Sequence, residues 1–107
     1  RNATDALGLS QDQRKAFRTF LETRREVRKS LVQSMRGKES DFVEALKGEK
    51  IDKDRLLELR RELQNEHVSG NDKVFESFEG FLETLNVEQR SKMLELSKRN
   101  ANAFLFL

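Results

Sequence analysis

Cysteine, proline, tryptophan and tyrosine are absent from this 107-residue sequence, and histidine occurs once, at His67. Without cysteine there is no disulfide framework, zinc ribbon or thiol nucleophile, and a single imidazole excludes any site that needs two from one chain. Most hydrolytic and metal-dependent enzyme classes leave with them. A β-sandwich of this length needs turn prolines and β-branched runs that are missing, which excludes an all-β fold. No run approaches the ~18 apolar residues of a membrane span, and no basic-then-apolar signal segment opens the chain. Its start at Arg1, without a Met, is compatible with a removed signal peptide or membrane anchor. Apolar material is itself scarce, at 36% hydrophobic against 37% charged, where ordinary domains hold roughly 45–50% and 25%. A thick core cannot be assembled from that, so the expectation is a single all-helical domain whose long helices each carry one narrow apolar stripe.

The charges that are present are unevenly placed. The net charge is +2, but residues 10–36 carry eight basic against three acidic side chains. Such a region suits an acidic partner, or is an ordinary solvated helix face. Residues 1–8 show no period and read as a flexible arm. Ser10-Gln11-Asp12-Gln13 then forms a capping box, in which Ser10 accepts from the backbone of Gln13 while Gln13 reaches back to the cap. Behind it Phe17, Phe20, Leu21, Val27, Leu31 and Met35 recur at helical spacings, with Arg24 and Arg28 in the gaps. They predict a helix over about 10–36, ended by Gly37. Ser40 is a candidate cap for a short helix over 40–47 bearing Phe42, Val43 and Leu46, and Gly48 closes it. Asp52 can cap a long helix over 53–85 whose stripe reads Leu56, Leu59, Leu63, His67, Gly70, Val74, Phe78, Phe81 or Leu82, and Leu85. Ser69-Gly70-Asn71-Asp72 favours a break. Val74 and Phe78 nevertheless keep phase across it, and Gly70 would let a second helix approach closely. Asn86-Val87-Glu88-Gln89 repeats the capping device and opens a last helix over 87–103, with Met93, Leu94 and Leu96 inside. The tail Ala103-Phe104-Leu105-Phe106-Leu107 is apolar and suggests an interface or a truncation point. The architecture expected is a long helical hairpin of about four helices.

An enzyme needs a nucleophile or an acid–base pair in a sheltered site, and no step of that requirement is met, so no catalytic residue is expected. Glu62 and Glu66, and Glu76, Glu79 and Glu83, read as surface ion pairing at helical spacing. His67 reads as a packing histidine or, alternatively, as one ligand of a zinc, nickel or cobalt site completed by carboxylates at a dimer seam. No metal or other cofactor is favoured. Met35 and Met93 read as core filler. Phe17, Phe20, Phe75, Phe78 and Phe81 serve core packing or, partly exposed, a greasy binding surface. Arg24, Arg25, Arg28, Lys29 and Arg36 form no recognition helix or stacking platform, so no nucleic-acid partner is expected.

Leu9-Ser10-Gln11-Asp12-Gln13-Arg14 and Leu85-Asn86-Val87-Glu88-Gln89-Arg90 together resemble the paired Leu-Thr-x-x-Gln-Arg motifs of the Spy/CpxP-like periplasmic proteins and their heavy-metal-resistance relatives. The likeness spans about residues 7–100, with Phe42-Val43-Glu44-Ala45-Leu46 and the Ile51-Asp52 junction between the motifs. Ser10 and Asn86 stand where Thr is usual, a change that preserves cap chemistry. The resemblance implies a periplasmic location, a hooked helical hairpin, an antiparallel homodimer forming a curved cradle, and work as an ATP-independent chaperone, stress modulator or metal sensor. Its metal-sensing branches use several His and Met or a His-rich tail, whereas this chain offers His67.

The expectation is therefore a non-enzymatic envelope-stress or metal-resistance accessory protein that binds unfolded clients or a periplasmic signalling partner. Arg18, Arg25, Arg28, Lys29, Arg36, Arg60 and Arg61 are its candidate charges, and Phe17, Phe20 and Phe78 its candidate apolar contacts. The alternatives are a metal-responsive sensor built on His67, and a helical dimerisation or scaffold module without ligand.

Overall fold

The computed structural model describes residues 7–99, with Arg99 by its backbone alone. Residues 1–6 of the arm, the end of the last helix beyond Arg99 and the apolar tail 103–107 lie outside the described residues. Within them the chain is all-α, in the order α1 (Gln11–Gly37), α2 (Glu39–Leu46), α3 (Lys53–Glu83) and α4 (Val87–Arg99). Of the residues read above as the arm, Leu7 packs into the fold while Gly8 is exposed. Leu7 is buried, and Gly8 takes φ 62°, a left-handed conformation that costs glycine nothing.

The chain divides into two compact units, one holding residues up to Arg24 together with those from Lys73, the other Arg25–Asp72. In the first, the opening half of α1 pairs antiparallel with the end of α3. The Phe17 and Phe81 rings lie 5.0 Å apart, and Phe20 and Phe78 5.1 Å apart. Contacts of 6.0 Å between Phe17 and Phe20 and 6.4 Å between Phe78 and Phe81 close a cluster of four tilted rings, the arrangement that the ring quadrupoles favour. Leu7, Leu9, Val74 and Leu85 are buried in the same unit.

In the second unit the closing half of α1 pairs antiparallel with the start of α3. Its fully apolar core is thin, consisting of Leu59, which is 0% exposed, and Ala45 of α2. The turn from α2 to α3 is closed by Asp52 N–H donating to the Ala45 carbonyl at 2.8 Å. Asp52 caps α3 as expected, its carboxylate accepting from Arg55 N–H at 3.1 Å. The expected Ser40 cap is not used. α2 begins at Glu39, directly after Lys38, which offers no side-chain cap.

α3 runs unbroken through Gly70, and the reason is on its partner. A Cβ at Gly70 would come within 2.6 Å of Val27 Cγ1, so the glycine is where α1 comes close. Two positions on the seam differ from the periodic reading. Glu66, not His67, occupies the seam of α3, and Ser34, not Met35, that of α1. Both choices keep the three-and-four spacing of a helix, and the polar pair wins because Ser34, Glu66 and Lys38 satisfy one another.

Candidate functional site

The two capping boxes form as the sequence indicates and then bond to each other. Ser10 N–H donates to Gln13 Oε1 at 2.8 Å, and Gln13 N–H donates to Ser10 Oγ at 3.2 Å. Asn86 and Gln89 repeat this at 3.0 and 2.8 Å. Each glutamine thus uses its carbonyl oxygen on its own helix and has its amide NH₂ left to donate. Gln13 Nε2 donates to the Thr84 carbonyl at 2.7 Å and to Gln89 Oε1 at 2.8 Å. Gln89 Nε2 donates to Gln13 Oε1 at 3.0 Å and reaches the carbonyls of Leu7 and Gly8 at 3.3 and 3.4 Å. A side chain without both an acceptor and a donor group could not do both jobs. Leu9 and Leu85, the first residues of the two motifs, are buried in this unit, while Arg14 and Arg90 are exposed.

In the Arg25–Asp72 unit the carboxylates of the seam are taken up by two cations. Arg55 pairs with Asp41 and Glu58 at 2.9 Å each and with Glu62 at 3.7 Å. Desolvation, the largest single influence on this guanidinium, pulls its pKa down, but Asp41, Glu58 and Glu62 together hold it raised. Ser34 Oγ is hydrogen-bonded to the Glu66 carboxylate, 2.6 Å from Oε2, and Lys38 Nζ lies 3.3 Å from the same oxygen. Lys38 Nζ also donates to Ser34 Oγ at 2.9 Å. The Ser34 hydroxyl first, and then Lys38, hold Glu66 below the usual carboxylate range against the opposing effect of desolvation.

The seven predicted cations are placed differently. Arg18, Arg25, Arg28, Lys29, Arg36, Arg60 and Arg61 are all exposed, and none makes a side-chain hydrogen bond or ion pair with another described residue. Arg18 belongs to the unit of the capping boxes, and Arg60 and Arg61 lie on α3. Arg25, Arg28, Lys29 and Arg36 follow one another along a flank of α1 over about 17 Å of helix. Val32, 41% exposed, and Met35, 58% exposed, sit among them. Glu26 is the one carboxylate between residues 25 and 37.

The three expected apolar contacts all lie in the ring cluster of the first unit. Phe20 is 0% and Phe78 5% exposed, and Phe17 is half-buried in the same ring cluster, so these rings pack within their own unit. Met35, expected inside, is exposed, while Met93 is half-buried. Val32 was not singled out by sequence, although its position four after Arg28 and three before Met35 marks a second apolar row on α1. Which row faces inward is decided by α3. His67 is exposed, off the seam. Among the described residues no group of three or more His, Cys, Asp or Glu is placed to hold a metal ion. No helix among them is long and apolar enough to cross a membrane.

An all-helical chain with two capping boxes joined through their glutamines is defined as a class by that paired motif. The chain belongs to the LTXXQ motif family, whose model matches residues 1–97. No curated protein and no solved structure matches it.

Proposed function

We propose that this chain is a non-enzymatic periplasmic accessory protein of the Spy/CpxP-like type, which holds unfolded segments of clients, or a signalling partner, without ATP. The surface is the α1 flank of Arg25, Arg28, Lys29, Val32, Met35 and Arg36. The observation that carries this reading is that four cations without an ion pair among the described residues surround two exposed apolar side chains. Uncompensated charge speeds encounter with acidic segments. Shallow apolar contact then holds many sequences weakly instead of one tightly. Family membership supports the periplasmic setting and the envelope-stress role, and the mechanism calls for no nucleotide or metal.

The test is a triple reversal, Arg25→Glu, Arg28→Glu and Lys29→Glu, with binding of a fluorescently labelled, chemically unfolded protein read by anisotropy. Affinity is expected to fall about tenfold, the effect of three surface charges worth roughly 0.5 kcal/mol each, while helix content stays unchanged. Undiminished binding contradicts the assignment.

A homodimer is proposed on the other side of α3. Leu57, Arg61, Gln64 and Val68 follow one another there at the four-three-four spacing of a coiled-coil seam, and Leu57 and Val68 are exposed.

A further inference from the structure

We propose that Met35 is a site of reversible two-electron oxidation, and that its sulfoxide switches the α1 flank from an apolar cationic surface to a polar one. The consequence for binding rests on the client-holding function proposed above, whereas the chemistry of the site does not. The chain holds two sulfur atoms, those of Met35 and Met93, and no cysteine, tryptophan or tyrosine competes for an oxidant. Met35 is 58% exposed, and Met93 is half-buried on α4, so one molecule contains both the site and its control.

The surroundings favour Met35 further. Arg36 follows it directly, and Arg28 and Val32 precede it by seven and three residues on the same flank. Arg28 and Arg36 have no ion pair with a described residue. Their charge concentrates anionic oxidants such as hypochlorite and peroxymonosulfate around the thioether. With peroxymonosulfate, the sulfur lone pair attacks the terminal peroxo oxygen, the S–O bond forms as the O–O bond breaks, and the bonding pair leaves on sulfate. Sulfur loses two electrons, the oxidant gains two, and no proton is consumed. A dithiol reductase reverses the change, releasing water and forming a disulfide on the reductase. Oxidation leaves the helix pairing in place, because Ser34, not Met35, meets α3 at this level. It does replace the larger apolar side chain of the flank by a polar, chiral group.

The experiment treats the folded chain with limiting peroxymonosulfate, and in parallel with neutral hydrogen peroxide, and follows one added oxygen per peptide by mass spectrometry. Met35 is expected to oxidise several-fold faster than Met93. With peroxymonosulfate, but not with hydrogen peroxide, that advantage should shrink as salt is raised. Equal rates, or Met93 reacting first, overturn the site. In the second arm, chain oxidised at Met35 should hold an unfolded client several-fold less well and recover with methionine sulfoxide reductase, while the client holding of Met35→Leu, whatever its starting level, should not change on treatment with oxidant. Selective oxidation at Met35 with unchanged client holding overturns the switch. If the unoxidised chain holds no client, the proposed function and the switch fall together, and the oxidation rates still decide the site.

Discussion

Replacing Gln13 by Glu separates the two jobs of that side chain. A carboxylate keeps the acceptor for Ser10 N–H, and a negative charge in the first turn of α1 adds about 0.3–1 kcal/mol through the helix dipole. It cannot donate to the Thr84 carbonyl or to Gln89 Oε1, bonds of 2.7 and 2.8 Å in the native chain. Two hydrogen bonds at about 1 kcal/mol each are lost, and two acceptor oxygens are left facing a third. Gln13 and Gln89 are half-buried, so water relieves part of that repulsion. The expected net loss is about 1–2 kcal/mol. Urea unfolding followed by far-ultraviolet circular dichroism should show the midpoint falling at unchanged slope. A cycle of Gln13→Ala and Gln89→Ala should return a coupling of about 0.5–1 kcal/mol, because the pair loses its shared bonds only once. A Gln13→Glu chain as stable as the native one, or a zero coupling, refutes the donor role assigned to the motif glutamines.

At Gly70, alanine gains about 1 kcal/mol of helix propensity but forces a methyl into Val27, whose branched side chain has little freedom to move, at about 1–3 kcal/mol. A net loss of about 1 kcal/mol is expected by urea titration, reduced in a Val27→Ala background; a stabilised Gly70→Ala chain contradicts the close approach. Glu66 is held below its ordinary pKa of 4.5. Its contribution is complete above that value and is lost as pH falls through the lower folded value. Glu66→Gln should therefore flatten the acid limb of stability against pH below about 4.5, and parallel acid limbs would show the Ser34–Lys38 contacts to be inconsequential. Val68→Glu should turn a dimer into a monomer by analytical ultracentrifugation at unchanged helix content, and an unaltered dimer would move the interface away from α3.

What sequence made legible follows a physical division. The capping boxes were legible because a box is local: residues three apart satisfy each other whatever the rest of the chain does. The bond between Gln13 and Gln89 was not, since residues far apart in sequence meet only once the first unit has packed. The apolar stripes of α1 and α3 were readable, but their phase was ambiguous wherever two neighbouring residues both kept helical spacing. Seam positions 34 and 66 went to Ser34 and Glu66, which answer each other across the helix pair, and Met35 and His67 were turned outward as a result. Charge density on α1 was visible from composition. That Arg55 and Lys38 engage the carboxylates of the seam, leaving Arg25, Arg28, Lys29 and Arg36 without them, required the pairing of the helices.

The most direct test of the central claim is light scattering from a chemically denatured protein diluted into buffer with and without this chain, at equal molar ratio and without ATP. Suppressed aggregation that weakens as salt screens the α1 flank is the result the account predicts. Aggregation that proceeds unchanged at low salt contradicts it.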